Sequence, residues 1–153
     1  MKYSLFALVV CWPVVLADEP QVELSAQEKQ ILELTNAERK KKDLPPLQPN
    51  VVLCKVARAH AENMARQEKM EHVLDGKNPA ERLRDAGYPF ARMAENLAQI
   101  DQRIAVDTMM KDWMGSQIHR DNILNKDVTE IGIGVARTKK GQIYCTQVFG
   151  KRK

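Results

Sequence analysis

No apolar run in this 153-residue chain reaches the about 18 residues that a helical bilayer span requires, which excludes a polytopic membrane protein. A Gly-rich phosphate loop is also missing, so nucleotide chemistry has no support. Neither His-Glu-x-x-His nor Cys-x-x-Cys occurs, and with them go the local metal motifs. Aromatic residues make up only 5% and cysteines number three, so a disulfide-dense scaffold is excluded. Neither sign of charge dominates. The 24 Lys and Arg against 20 Asp and Glu leave +4, too mild to imply a nucleic-acid partner. What remains is ordinary globular composition, 44% apolar and 29% charged, of a length that fits one domain.

Met1 to Ala17 reads as a secretory signal peptide. Lys2 supplies the positive start, Leu5 to Leu16 the short apolar stretch, and Val15 and Ala17 the small residues of a cleavage site. The expected mature chain is then 18–153, with no transmembrane segment, secreted outside the cell or into a periplasm. A rival reading anchors a lipoprotein through Cys11, although Val9 and Val10 are bulky for that processing site. With Cys11 removed, Cys54 and Cys145 remain as an even pair in an oxidising compartment. A disulfide between them would join an early helix to a late strand, worth about 4–5 kcal/mol on the chain-entropy model. Two buried free thiols are the other reading.

Ser25 to Glu28 forms a capping box, and Ile31, Leu34 and Ala37 follow at helical spacing. The run Arg39 to Lys42 reads as a solvated helix end whose cations suit the dipole. Pro45, Pro46 and Pro49 make a stiff connector. Asn50 caps a second helix over 51–69, with Leu53, Val56, Ala57, His60, Ala61 and Met64 as its apolar stripe. His60, inside that stripe, reads as a core histidine. Asn78-Pro79 opens a short helix that Gly87 stops. A strand is expected over 93–99 and a helix over 103–115, with Val106, Met109, Met110 and Trp113 as core. His119 to Leu124 adds a helical turn. Ile131, Ile133 and Val135 alternate with Gly132, Gly134 and Ala136, a strand whose flat face lets another backbone approach closely. Thr138 to Gly141 turns the chain into a last strand over 142–149. No glycine stands between Asp18 and Asp75, so the first half is helical and the last third sheet. That ordering is α+β.

His72 and His119 remain outside any long apolar stripe, and Glu95 is an acid in an otherwise apolar stretch. A buried carboxylate needs a cation, a metal or hydrogen-bond donors. Ser116, three residues before His119, reads as an N-cap, and Glu130, Asn96 and Asn122 as hydrogen-bond partners that fix loops.

An ordered set of segments carries a resemblance. It runs from Leu34-Thr35-Asn36-Ala37-Glu38-Arg39 through Glu62-Asn63-Met64-Ala65, His72, Glu81-Arg82-Leu83 and Ala86-Gly87-Tyr88. Ala94-Glu95-Asn96-Leu97-Ala98, Trp113-Met114-Gly115-Ser116 and His119 to Leu124 follow, then Glu130 to Val135 and Tyr144 to Gly150. This resembles the CAP family (cysteine-rich secretory proteins, antigen 5, plant pathogenesis-related proteins) in its short bacterial-type form, over a core of about 25–150. The resemblance implies a three-layer α–β–α sandwich with a small antiparallel sheet between helical layers. It also implies a cleft lined by two histidines and two acids, which holds a divalent metal in some members. His72 matches the first histidine, Glu95 the acid and His119 the second histidine.

Two positions depart from that pattern. Ala94 stands where the motif has glycine, and Ser116 stands at the second acid, so three strong ligands remain. His72, Glu95 and His119 suit zinc if they converge. The other reading is a polar network in which Glu95 only braces the cleft. Functionally, the resemblance implies a secreted module that acts through its cleft on a ligand such as a lipid, an envelope component or a protein. The alternative is a metal-assisted extracellular hydrolase of peptide or envelope material, with the same three residues catalytic.

Overall fold

A computed structural model describes residues 22–153; the signal-peptide reading of Met1 to Ala17 and Cys11 lies outside the described residues. The elements are α1 (Ala26–Lys40), β1 (Gln48–Pro49), α2 (Val51–Gln67), α3 (Pro79–Asp85), β2 (Phe90–Asp101), α4 (Val106–Gly115), α5 (Gln117–Ile123), β3 (Glu130–Arg137) and β4 (Gln142–Arg152). The strands form one sheet in the order β1-β3-β4-β2. Pairing of β2 with β4 and of β3 with β4 is antiparallel, while β1 lies parallel to β3. The proline connector thus contributes a two-residue strand, at an edge where Pro49 owes no ladder hydrogen bond.

Alternation along β4 assigns the two helical layers. Ile133, Cys145 and Phe149 pack with Ile31 of α1 and Val106, Met109 and Trp113 of α4. On the other face, Val148 packs with Leu53, Val56 and Ala57 of α2 and Leu83 of α3, and Tyr144 packs with Met64. The architecture is therefore the expected α–β–α sandwich, with α2 and α3 on one face and α1, α4 and α5 on the other.

Local signals place the helix starts. Ser25 and Glu28 close the capping box of α1, Asn50 accepts from Val52 N and Leu53 N, and Asn78 and Glu81 close a second box at α3. Gly87 (φ 75°) completes a Schellman ending, with Tyr88 N donating to Leu83 O and Gly87 N to Arg84 O. Helix α4 begins at Val106, later than its pattern predicts, and its N-cap Ala105 has no side chain to announce the start. Strand β2 is longer than expected, 12 residues in place of the predicted seven.

Close approach explains the flat face of β3. A Cβ on Gly132 would lie 2.0 Å from Leu53 C, and one on Gly134 2.3 Å from Ala57 C, so the backbone of α2 rests directly on the strand. The same geometry corrects the expected disulfide. Cys54 belongs to α2, whereas Cys145 packs among Ile31, Val106 and Met109 on the opposite face, and both are free and buried. The sheet itself separates the two sulfurs. Labelling of unfolded, unreduced protein should find both thiols free, and native protein should resist labelling because burial raises both thiol pKa values. A bridged pair in the unreduced protein would contradict the structure.

Arg39 and His60 are two of the polar side chains buried in the core. Arg39 does not end a solvated helix as its sequence context predicts. It is fully buried and donates to Pro45 O, Ile123 O and Asn125 O. A guanidinium at the last carbonyls of α5 complements that helix end. His60 is buried as expected, with Nε2 at 3.0 Å from Glu71 O. Burial, then the Arg82 charge, lowers its pKa below the usual 6.5. The unfolded chain therefore binds more protons in the window between the two values. Stability from this group is full above about pH 6.5 and declines as pH falls from there toward the folded pKa. Urea midpoints measured across that window should slope less in His60→Leu than in the parent.

Candidate functional site

The site straddles β2, the edge strand opposite β1. Glu95 points to the α2 and α3 face, and its side chain is only 2% exposed. Such a carboxylate needs compensation, and both oxygens have it. Oε1 lies 2.8 Å from His72 Nδ1, and Oε2 accepts from Arg82 Nη2 at 2.7 Å. Arg82 comes from α3 and also donates to His72 O and Lys77 O, which fixes the loop that carries His72. His72 is itself half exposed.

His119 arrives from the other layer, on α5. Asn122 donates to Glu95 O at 3.3 Å and to Asn96 Oδ1 at 2.8 Å. Asn96 donates in turn to His119 O at 3.1 Å and to Gln147 Oε1 at 3.3 Å. The chain ends deep in the core, where Gln147 donates to Thr35 Oγ1 and Thr35 to Ile31 O. Asn96, Gln147 and Thr35 are all fully buried, so α5 is tied to β2 by a satisfied polar network. Trp113 of α4 donates to Leu97 O, two residues from the carbonyl that Asn122 takes. Helices α4 and α5 thereby occupy the middle of the edge that β2 would otherwise leave open.

Burial, with the nearby His72 imidazole adding to it, lowers the pKa of His119. Its Nδ1 is buried without a hydrogen-bond partner. Ser116 stands at the N-cap position of α5 as expected, yet its side chain makes no capping hydrogen bond. Asn96, Asn122 and Glu130 are hydrogen-bond partners as expected; Glu130 accepts from Asn50 at 2.7 Å and from Tyr88.

Donor chemistry decides what ion could be held. His72 presents Nδ1–H to Glu95, the arrangement that leaves Nε2 free as a ligand nitrogen. His119 has an orphaned ring nitrogen. Glu95 is committed to Arg82 and His72, so it serves as an orienting group and not as a third ligand. Among the described residues no group of three or more His, Cys, Asp or Glu side chains is disposed to hold a metal ion.

Arg82 is the functional residue that its sequence context does not mark as part of the site. Its signal is indirect: Glu95 in an apolar stretch demands a cation, and nothing local shows which one answers.

Comparison with known proteins bears on the whole chain. The model of the cysteine-rich secretory protein family (CAP) matches residues 32–149. The Bacillus subtilis protein YkwD is 36% identical over 129 residues, covering 84% of this chain and 49% of the relative. An outer surface protein of Borrelia burgdorferi superposes with a TM-score of 0.78 at 25% identity, covering 88% of this chain and 98% of that one. An extracellular Bacillus anthracis protein containing an SCP domain gives 0.72 at 30% identity, covering 83% of this chain and 40% of that one. The chain spans about half, or less, of the Bacillus subtilis relatives it matches.

Proposed function

The chain belongs to the CAP family of cysteine-rich secretory proteins, and from that premise we propose that it is an extracellular binding module acting through the His72–Glu95–His119 cleft. Export through Met1 to Ala17 accords with relatives described as extracellular or outer-surface proteins. The ligand is a divalent cation, zinc by ligand chemistry, together with an oxygen-bearing molecule drawn to it.

One observation carries the reading: both oxygens of Glu95 are already engaged. A general base must be free to take a proton, and this carboxylate is held by a guanidinium and an imidazole. Serine in place of the second acid adds no replacement, because Ser116 has no hydrogen bond to His119 among the described residues. Glu95 therefore orients His72 and keeps its Nε2 pointed away from the carboxylate. Asn96 and Asn122 hold α5 so that His119 shares the cleft. Zinc, when bound, supplies Lewis-acid attraction for a ligand oxygen. Arg82 engages one oxygen of Glu95, so the protein's own groups bind and orient.

Titration calorimetry with zinc, paired with turnover assays on casein and peptidoglycan, tests this. Reversible zinc binding should be lost in His72→Ala and in His119→Ala. Glu95→Gln should weaken it about 10–100-fold, as expected of an orienting carboxylate. No substrate should turn over. Metal-dependent turnover that His72→Ala abolishes would replace this reading with the hydrolase.

A further inference from the structure

A concave site lies where β2 begins, beside the end of α3. A pocket of about 490 Å³ is lined by Arg84, Gly87, Tyr88, Pro89, Phe90 and Lys153. That volume is within the range of small-molecule sites. Its apolar surface is Pro89 and the half-buried Phe90, which follow the Gly87 ending of α3, whereas Tyr88 is fully buried. Its walls are cationic. The Arg84 guanidinium lies 5.5 Å from the Phe90 ring centroid, Lys153 stands on the lining too, and Arg152, outside the lining, lies 5.0 Å from the Tyr88 ring. Stacking on a ring holds a guanidinium in place while its N–H edge stays free. Arg84 and Lys153 have no carboxylate partner among the described residues, and Arg152 has only Glu130 at 3.8 Å. Asp85, next to Arg84 in the chain, is taken by Lys77 at 2.7 Å. All three cations are exposed.

We propose that this pocket binds a small organic phosphate, its anion held by Arg84 and Lys153 and its flat apolar body lying on Pro89 and Phe90. Charge alone would suit any anion. The aromatic floor selects an anion that carries an apolar body. A membrane surface fits less well, because the large exposed hydrophobic residues, Val51, Met70, Val73, Ile104 and Ile118, all lie outside the pocket. Nothing would insert into lipid there.

Backbone amide NMR titrations with phenyl phosphate and with inorganic phosphate separate these terms. Phenyl phosphate should move the Gly87, Phe90 and Lys153 amides and bind about tenfold tighter than inorganic phosphate, the effect of roughly 1.4 kcal/mol of apolar contact. Arg84→Glu and Lys153→Glu alter exposed side chains and should abolish both without lowering the melting temperature. Phe90→Ala should weaken phenyl phosphate alone. Zinc binding at His72 and His119 should be unchanged in Arg84→Glu, so this site and the cleft stand or fall separately. Equal affinity for the two probes, shifts spread over other lysines, or binding only to anionic phosphatidylglycerol vesicles would overturn the proposal.

Discussion

Gly132→Ala is expected to prevent stable folding, although it adds a single methyl group. The new Cβ would lie 2.0 Å from Leu53 C, 2.2 Å from Leu53 O and 2.5 Å from Cys54 N. These are backbone atoms of α2, so no rotamer change can relieve the clash. The helix would have to lift off β3, and it carries Leu53, Val56, Ala57, His60, Ala61 and Met64 into the core. Gly134 repeats the contact one helical turn on, against Ala57 and Arg58, so tilting about one point does not help. Ordinary overpacking costs about 1–3 kcal/mol because side chains yield. Here the loss should exceed about 4 kcal/mol, a large share of the stability of a domain this size. Gly115→Ala is the control: nothing lies within 4 Å of its Cβ, and alanine should be neutral or better in that helix. Urea unfolding followed by circular dichroism reads both. A Gly132→Ala midpoint equal to the parent's would show that α2 does not rest on the strand.

Arg39→Met should destabilise nearly as much, and for the opposite reason. Methionine keeps most of the apolar stem and removes the guanidinium head. What disappears is a set of charge-assisted hydrogen bonds to Pro45 O, Ile123 O and Asn125 O. Hydrogen bonds to a charged group contribute about 1.5–3 kcal/mol each, and the orphaned carbonyls stay buried. A loss of about 3–5 kcal/mol is expected after relaxation of the loop. Because two of those carbonyls end or follow α5, the damage should reach the cleft. The zinc affinity proposed for the cleft should then fall in Arg39→Met more than stability at the assay temperature explains. Arg39→Lys should recover only part, since one ammonium cannot span the same three oxygens. An unchanged urea midpoint would show that the arginine is dispensable.

Much of this fold is legible in the chain because its causes are local. Capping residues at Ser25, Asn50 and Asn78, the stripes of α2 and α4, and the glycine alternation of β3 all act over a few residues. The family resemblance adds His72, Glu95 and His119, which the spacing of 23 and 24 residues between them could not join. What is illegible depends on distant partners. Arg39 sits in a basic run that looks solvated, and only Ile123 and Asn125 reveal why it is buried. Thr35 and Gln147 lie 112 residues apart and look like surface residues until their hydrogen bond is seen. The expected Cys54–Cys145 bridge fails similarly: parity and compartment favour it, but sequence does not say which face of the sheet each thiol occupies. Arg82 completes the site through an ion pair that only the fold creates.

The two margins of the sheet differ in construction and share one effect. At one side β1 is two residues long and includes Pro49; at the other, side chains of Trp113 and Asn122 take up carbonyls of β2. Each device interrupts the row of amides and carbonyls on which another strand could pair. Domains of this kind can therefore be crowded together, or joined in tandem to other modules, with little tendency to pair strand to strand into aggregates.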